Sequence, residues 1–170
     1  MTEKSRLPKR LSVVPLTVEA FAPYGDVIDG AGALSFVANG GAAFVHRDLA
    51  RVDVGAFGGR VCVSWVQTAP RPLPIDIKVM ERHALGSQAF VPLDGARLLT
   101  IVAPGGDFDA NAIIAFLGAP SQGVNYKRGV WHHPLVALDR ESKLVILDRE
   151  GAGENLELIT LGEPWVIENL

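Results

Sequence analysis

Apolar residues in this chain come in short runs, and nearly every run is closed by glycine, proline or aspartate before a helix of ordinary length could form. The runs are rich in β-branched residues: 11–16, 43–46, 61–66, 75–80, 98–102, 143–147 and 156–161. The breakers, 18 glycines and 11 prolines in 170 residues, punctuate the sequence without gathering into a low-complexity block. Parallel sheets need repeated crossover helices, and the spacing leaves no room for them, so the pattern predicts an antiparallel sandwich or small barrel. An all-β jelly roll with one or two short helices follows. Thr17 is placed to cap a helical turn over 18–21, and 108–116 has room for a second short helix. Gly30 to Gly41 reads as a mobile loop that could border a site, and Pro70, Pro72 and Pro74 as a rigid connector. Residues 1–170 are expected to form a single domain, with 1–10 a flexible N-terminal extension.

Composition removes several function classes. The formal charge of −3 and the scattered arginines give no basic stripe for a phosphate backbone, so nucleic acid is not an expected partner. No window approaches the roughly 20 apolar residues that cross a bilayer, so no membrane partner is expected. Cys62 is the only cysteine, which excludes an intrachain disulfide and a cysteine-rich zinc module. Met1 to Arg10 is basic, interrupted by Pro8, and lacks the apolar segment of a signal peptide. A cytoplasmic location is the expectation.

Chemistry is best sought around the four histidines, His46, His83, His132 and His133. Alternate residues of a strand share a face, so Glu81 and His83 can enter one cavity while Arg82 points away. The same rule keeps His132 and His133 from facing one centre together. Taken alone, Glu81 and His83 are more often a solvated edge pair, and the wider pattern has to decide. Cys62 lies among Val61, Val63 and Trp65 without an adjacent base and reads as a small packing residue. Ser64, Ser87 and Ser121 lack a nucleophile elbow.

That wider pattern is the pair of segments MERHALGSQAFVPL over 80–93 and QGVNYKRGVWHHPL over 122–135. They resemble the two metal-site motifs of the cupin superfamily, with Glu81 in the place of the first histidine and Gln88 in the place of the carboxylate. More narrowly, both segments, with APYGDVI at 22–28 and Asp148, Arg149, Gly151 and Asn155 near the end, strongly resemble the ureidoglycolate lyase family. The resemblance spans roughly residues 11 to 161. This chain departs from the family at Lys127, where a histidine is common.

The resemblance implies a cupin-fold enzyme of purine and allantoin breakdown that converts (S)-ureidoglycolate into glyoxylate and urea, usually as a homodimer. It places Glu81, His83 and His132 as catalytic candidates; Tyr126, which like Trp131 suits packing at a barrel mouth, joins them because its hydroxyl could donate to the substrate. Gln88, Lys127, Arg128 and Trp131 become substrate-binding candidates, the cationic side chains suiting a substrate carboxylate. Glu81, His83, Gln88 and His132 form the expected ligand set for a divalent metal, and nickel is the ion the family implies. Neutral Gln88 is a weak ligand, so metal-free operation stays open. Two other classes also stay open at this point: a noncatalytic cupin binding a small carboxylate, and a metal-dependent cupin oxygenase.

Overall fold

A computed structural model describes residues 8–31 and 35–170. The strands in chain order begin with β1 (Lys9–Arg10), β2 (Val13–Pro15), β3 (Gly25–Ile28), β4 (Phe36–Ala38) and β5 (Ala43–Val45). Then come β6 (Arg60–Thr68), β7 (Ile75–His83), β8 (Gln88–Pro92), β9 (Leu98–Ala103) and β10 (Ile114–Leu117). The last five are β11 (Gly123–Tyr126), β12 (Trp131–His132), β13 (Val136–Ala137), β14 (Ser142–Glu150) and β15 (Leu156–Ile167). Every run read as extended from the sequence overlaps one of these strands.

An eight-stranded sheet runs β1-β15-β7-β12-β9-β10-β2, with β13 joined to β9. A five-stranded sheet runs β3-β11-β8-β14-β6. The two curl over a shared core in which Leu98, Val102 and Phe116 of the larger sheet meet Val27, Phe90, Val124, Tyr126 and Leu144 of the smaller. This is the cupin-like jelly roll expected from the sequence. A second core covers the outer face of the larger sheet, where Ile75, Ile77, Met80, Ile101 and Trp131 pack with Leu11, Val13 and Phe108. Strand β9 has a core on each side and is buried at all six positions, so its run LLTIVA does not alternate.

Helix is scarce, as expected. Thr17 caps α1 (Val18–Phe21), its hydroxyl accepting from the Ala20 amide at 3.2 Å. The expected helix over 108–116 shrinks to a 3-10 turn at Ala110–Ala112, capped by Asp109, and the chain then enters β10. Pairing with both β9 and β2, and burial of Ala115 and Phe116 on opposite faces, override the local helical preference. The glycine-rich segment differs too: β4 and β5 pair as a ribbon around a 3-10 turn at Asn39–Gly41, while residues 32–34 lie outside the described residues. Of the expected N-terminal extension, Lys9 and Arg10 pair with Trp165 and Val166 on β15, and residues 1–7 lie outside the described residues.

Candidate active site

Strand register builds the site. Glu81 on β7 lies opposite His132 on β12, and directly opposed residues of antiparallel strands share a face. His132 also lies opposite Val102, a member of the core between the sheets, so this face looks into the barrel. His83 joins it two residues along β7. One ligand atom from each of Glu81, His83 and His132 lies within 4.8 Å of the other two, the group of that kind found among the described residues. Arg82 points the opposite way, stacking 4.6 Å from the Trp131 ring centroid and pairing with Glu157 at 2.7 Å.

Orphaned polar atoms mark what the cluster is for. His132 is 1% exposed, and its Nδ1 lies 3.1 Å from the Val130 carbonyl oxygen. A carbonyl only accepts, so Nδ1 is the donor, and in the neutral ring Nε2 presents its lone pair. That Nε2 is 3.4 Å from Glu81 Oε1 yet makes no well-aligned hydrogen bond. His83 Nε2 and Gln88 Oε1 are likewise buried without a hydrogen-bond partner. Lone pairs converging in a buried space are costly unless a cation, a proton or a substrate donor meets them. Two imidazole nitrogens, a carboxylate and a nearby amide oxygen suit a borderline divalent ion, and the Nδ1 hydrogen bond of His132 to Val130 is of the kind that orients a metal-binding ring.

The electrostatics favour an ionised Glu81 carboxylate and a neutral His83 ring. Burial alone would raise the Glu81 pKa, but the close approach of His132, with smaller effects from His83 and His133, holds it below its ordinary value. Burial, then the neighbouring His132, push His83 below the usual histidine value, against smaller opposing effects from Glu81, Asp148 and Gln88.

The smaller sheet closes the site from across the barrel. Gln88 is paired with Tyr126 on β11, and the Tyr126 ring stacks on His132 with centroids 4.3 Å apart. Burial drives the Tyr126 phenol far above its ordinary pKa, and the hydroxyl shares a hydrogen bond with Thr100. Lys127 and Arg128 occupy the turn beyond it. They line a 360 Å³ cavity with Asp26, Arg51, Asp53 and Ser87, and Lys127 Nζ donates to the Ala22 carbonyl at 2.5 Å. Trp131 stands apart from the other substrate-binding candidates: adjacent to His132, it alternates onto the outer face, packs against Phe108 and donates to the Gly106 carbonyl at 3.0 Å. His133 is buried outside the three-ligand cluster, its Nδ1 2.7 Å from the Pro134 carbonyl oxygen.

One supporting residue was not singled out for the site from sequence. Arg149 is 7% exposed and donates to the Ala56 and Ala152 carbonyls, each at 2.7 Å through Nη2. A Cβ on Gly86 would come within 2.6 Å of Arg149 Cβ, so this side chain and Gly86 together fix the bend that delivers Gln88. The signal was the pairing of a bare Gly86 in one motif with a lone Arg149 in another, which no local pattern connects.

Comparison with known proteins agrees with this construction. A family model described as ureidoglycolate lyase matches residues 8–168. A ureidoglycolate lyase of Burkholderia mallei is 48% identical over 162 residues, covering 95% of each chain. One from Burkholderia cepacia is 51% identical over 159 residues, with 93% of this chain and 90% of the relative covered. One from Azotobacter vinelandii is 46% identical over 154 residues, covering 90% and 93%. With its barrel, its inward-facing cluster and near-complete matches of this kind, the chain belongs to the ureidoglycolate lyase family.

Proposed function

We propose that the chain is a carbon–nitrogen lyase that cleaves (S)-ureidoglycolate into glyoxylate and urea, with the chemistry at Glu81, His83 and His132. The observation that carries this reading is the convergence of those three side chains on one buried point in a chain so similar to named ureidoglycolate lyases. Neither the binding-only reading nor the oxygenase reading is favoured by those relatives.

The substrate is a carbinolamine-like adduct. Cleavage removes the hydroxyl proton, the carbon–oxygen bond becomes a carbonyl, and the urea nitrogen gains a proton as its bond to carbon breaks. Glu81, His83 and His132 would hold a divalent ion, with Gln88 Oε1 beside them, and nickel is the ion that the family resemblance implies. When bound, such an ion polarises the substrate hydroxyl and balances its carboxylate. The protein's own contribution is positional. His132 is held in one orientation by Val130, Tyr126 covers its face, and Glu81 stays ionised through the neutral range. Without a metal, the lone pairs of the same imidazoles are the proton acceptors. Tyr126 serves as a positioning residue, because a phenol with so high a pKa makes a poor base at neutral pH. Lys127 and Arg128 bring positive charge to the turn beside the site, suited to an anionic substrate.

The protein is further proposed to act as a homodimer in the cytoplasm. Val61, Val63 and Trp65 support association: they lie exposed along one face of β6. No helix among the described residues is long and apolar enough to cross a membrane.

Purified protein incubated with (S)-ureidoglycolate is expected to release urea and glyoxylate in equal amounts, without ammonia and without oxygen uptake. Release of ammonia in place of urea would replace the lyase with an amidohydrolase. Activity that survives complete chelation would assign the cluster to proton transfer alone.

A further inference from the structure

We propose that Asp148 determines specificity by receiving the ureido half of the substrate, its carboxylate accepting two parallel N–H bonds. This rests on the reading of the site given above and names the part of the substrate that the three-ligand cluster leaves unread.

Alternation fixes where Asp148 points. On β14, Ile146 lies opposite Phe90 and packs against the core between the sheets. Asp148 is two residues further on the same face and lies opposite Cys62 on β6. Gln88 is two residues from Phe90 on β8, so Gln88 and Asp148 both face the barrel interior from the smaller sheet. His83 faces them from the larger sheet, and the charge of Asp148 acts on its ring.

The chemistry of Asp148 is otherwise unexplained. It is half-buried, and its carboxylate makes no hydrogen bond or ion pair with any other described residue. Of the other residues on its face of the strand, Leu144 and Ile146 are apolar, Ser142 lies at the far end, and Glu150 is exposed and paired with Arg60. An anionic substrate is repelled by a second carboxylate facing the His83 ring unless that charge meets donors. The glyoxylate half of ureidoglycolate offers only a hydroxyl and a carboxylate. The ureido half offers an internal N–H and a terminal NH₂, two of whose N–H bonds run parallel, and that pair matches the two oxygens of one carboxylate in a bidentate fork. The buried, unpartnered Gln88 Oε1 supplies a further acceptor on the same side. Cys62, opposite Asp148, is too weak an acceptor to compete. A site built to satisfy substrate N–H groups also discriminates sharply against analogues that lack them, because its own acceptors are then left bare.

The test is product inhibition of the intact enzyme. Asp148→Asn, which turns one acceptor into a donor, and Asp148→Ser, which shortens the side chain, are compared with wild type. In both variants KM for ureidoglycolate and Ki for urea are expected to rise at least tenfold, while Ki for glyoxylate changes less than twofold. An unchanged urea Ki, or equal rises in both product constants, would overturn the assignment. In either of those cases, continued production of urea and glyoxylate leaves the lyase reading standing. A wild-type protein that yields no urea from ureidoglycolate removes both.

Discussion

Gly25→Ala tests how tightly the barrel must close to hold its site. Gly25 begins β3 and pairs with Tyr126, the residue whose ring stacks on His132. A Cβ added there would lie 2.0 Å from the Asn125 carbonyl oxygen and 3.0 Å from Phe21 Cε1. Reaching even the 3.0 Å floor of real Cβ contacts needs a shift of about 1 Å, too far for ladder hydrogen bonds to absorb. Losing two of those bonds costs about 1–3 kcal/mol. Overpacking against fully buried Phe21 adds about 1–3 kcal/mol. The total of about 2–6 kcal/mol, at roughly 2–4 °C per kcal/mol for a domain of this size, lowers Tm by about 4 °C at the least. Calorimetry reads it directly, with Gly162→Ala as the control because nothing lies within 4 Å of that position. Turnover measured well below the new Tm should also fall, since Tyr126 moves with β11. A Tm within about 1 °C of wild type would refute the close-approach reasoning.

Three further outcomes follow from the same geometry. Tyr126→Phe keeps the ring on His132 and removes only the hydroxyl bonded to Thr100, so turnover should stay within about tenfold of wild type; a loss like that of removing a general base, about a hundredfold or more, would make the phenol catalytic. Arg149→Lys cannot reproduce the fork onto Ala56 and Ala152, and urea denaturation should show a loss of about 2–4 kcal/mol together with weaker substrate binding through Gln88. Burial depresses the pKa of both His83 and His133, so as pH falls through about 6.5 the unfolded chain takes up protons that the folded chain refuses. Metal-free protein should therefore lose stability from pH 7.5 to pH 5.5. His133→Gln should flatten that slope, and an unchanged slope would contradict the burial argument.

Much of the fold was legible because punctuation by glycine and proline limits element length whatever the tertiary context. Period-two alternation also placed Glu81 and His83 together and turned Arg82 away, as the register of β7 confirms. Short strands escaped notice. Strand β12 has two residues, and its membership comes from pairing with β7 and β9, partners distant in sequence. The same distance hid the outward turn of Trp131 onto the second core. The helix expected over 108–116 failed for a related reason: its apolar residues serve two faces of a sheet, which a helical reading treats as one stripe. Asp148 was readable as part of a motif, but its inward direction needed the register with Cys62 and Phe90.

Urea release by His132→Asn bears most directly on the central claim that the chemistry sits where β7 and β12 meet inside the barrel. The variant keeps a polar side chain of smaller volume and withdraws the ring nitrogen that faces Glu81. With circular dichroism showing a folded protein at the assay temperature, turnover should fall by about a hundredfold or more. A folded variant that releases urea within about tenfold of the wild-type rate would place the reaction elsewhere.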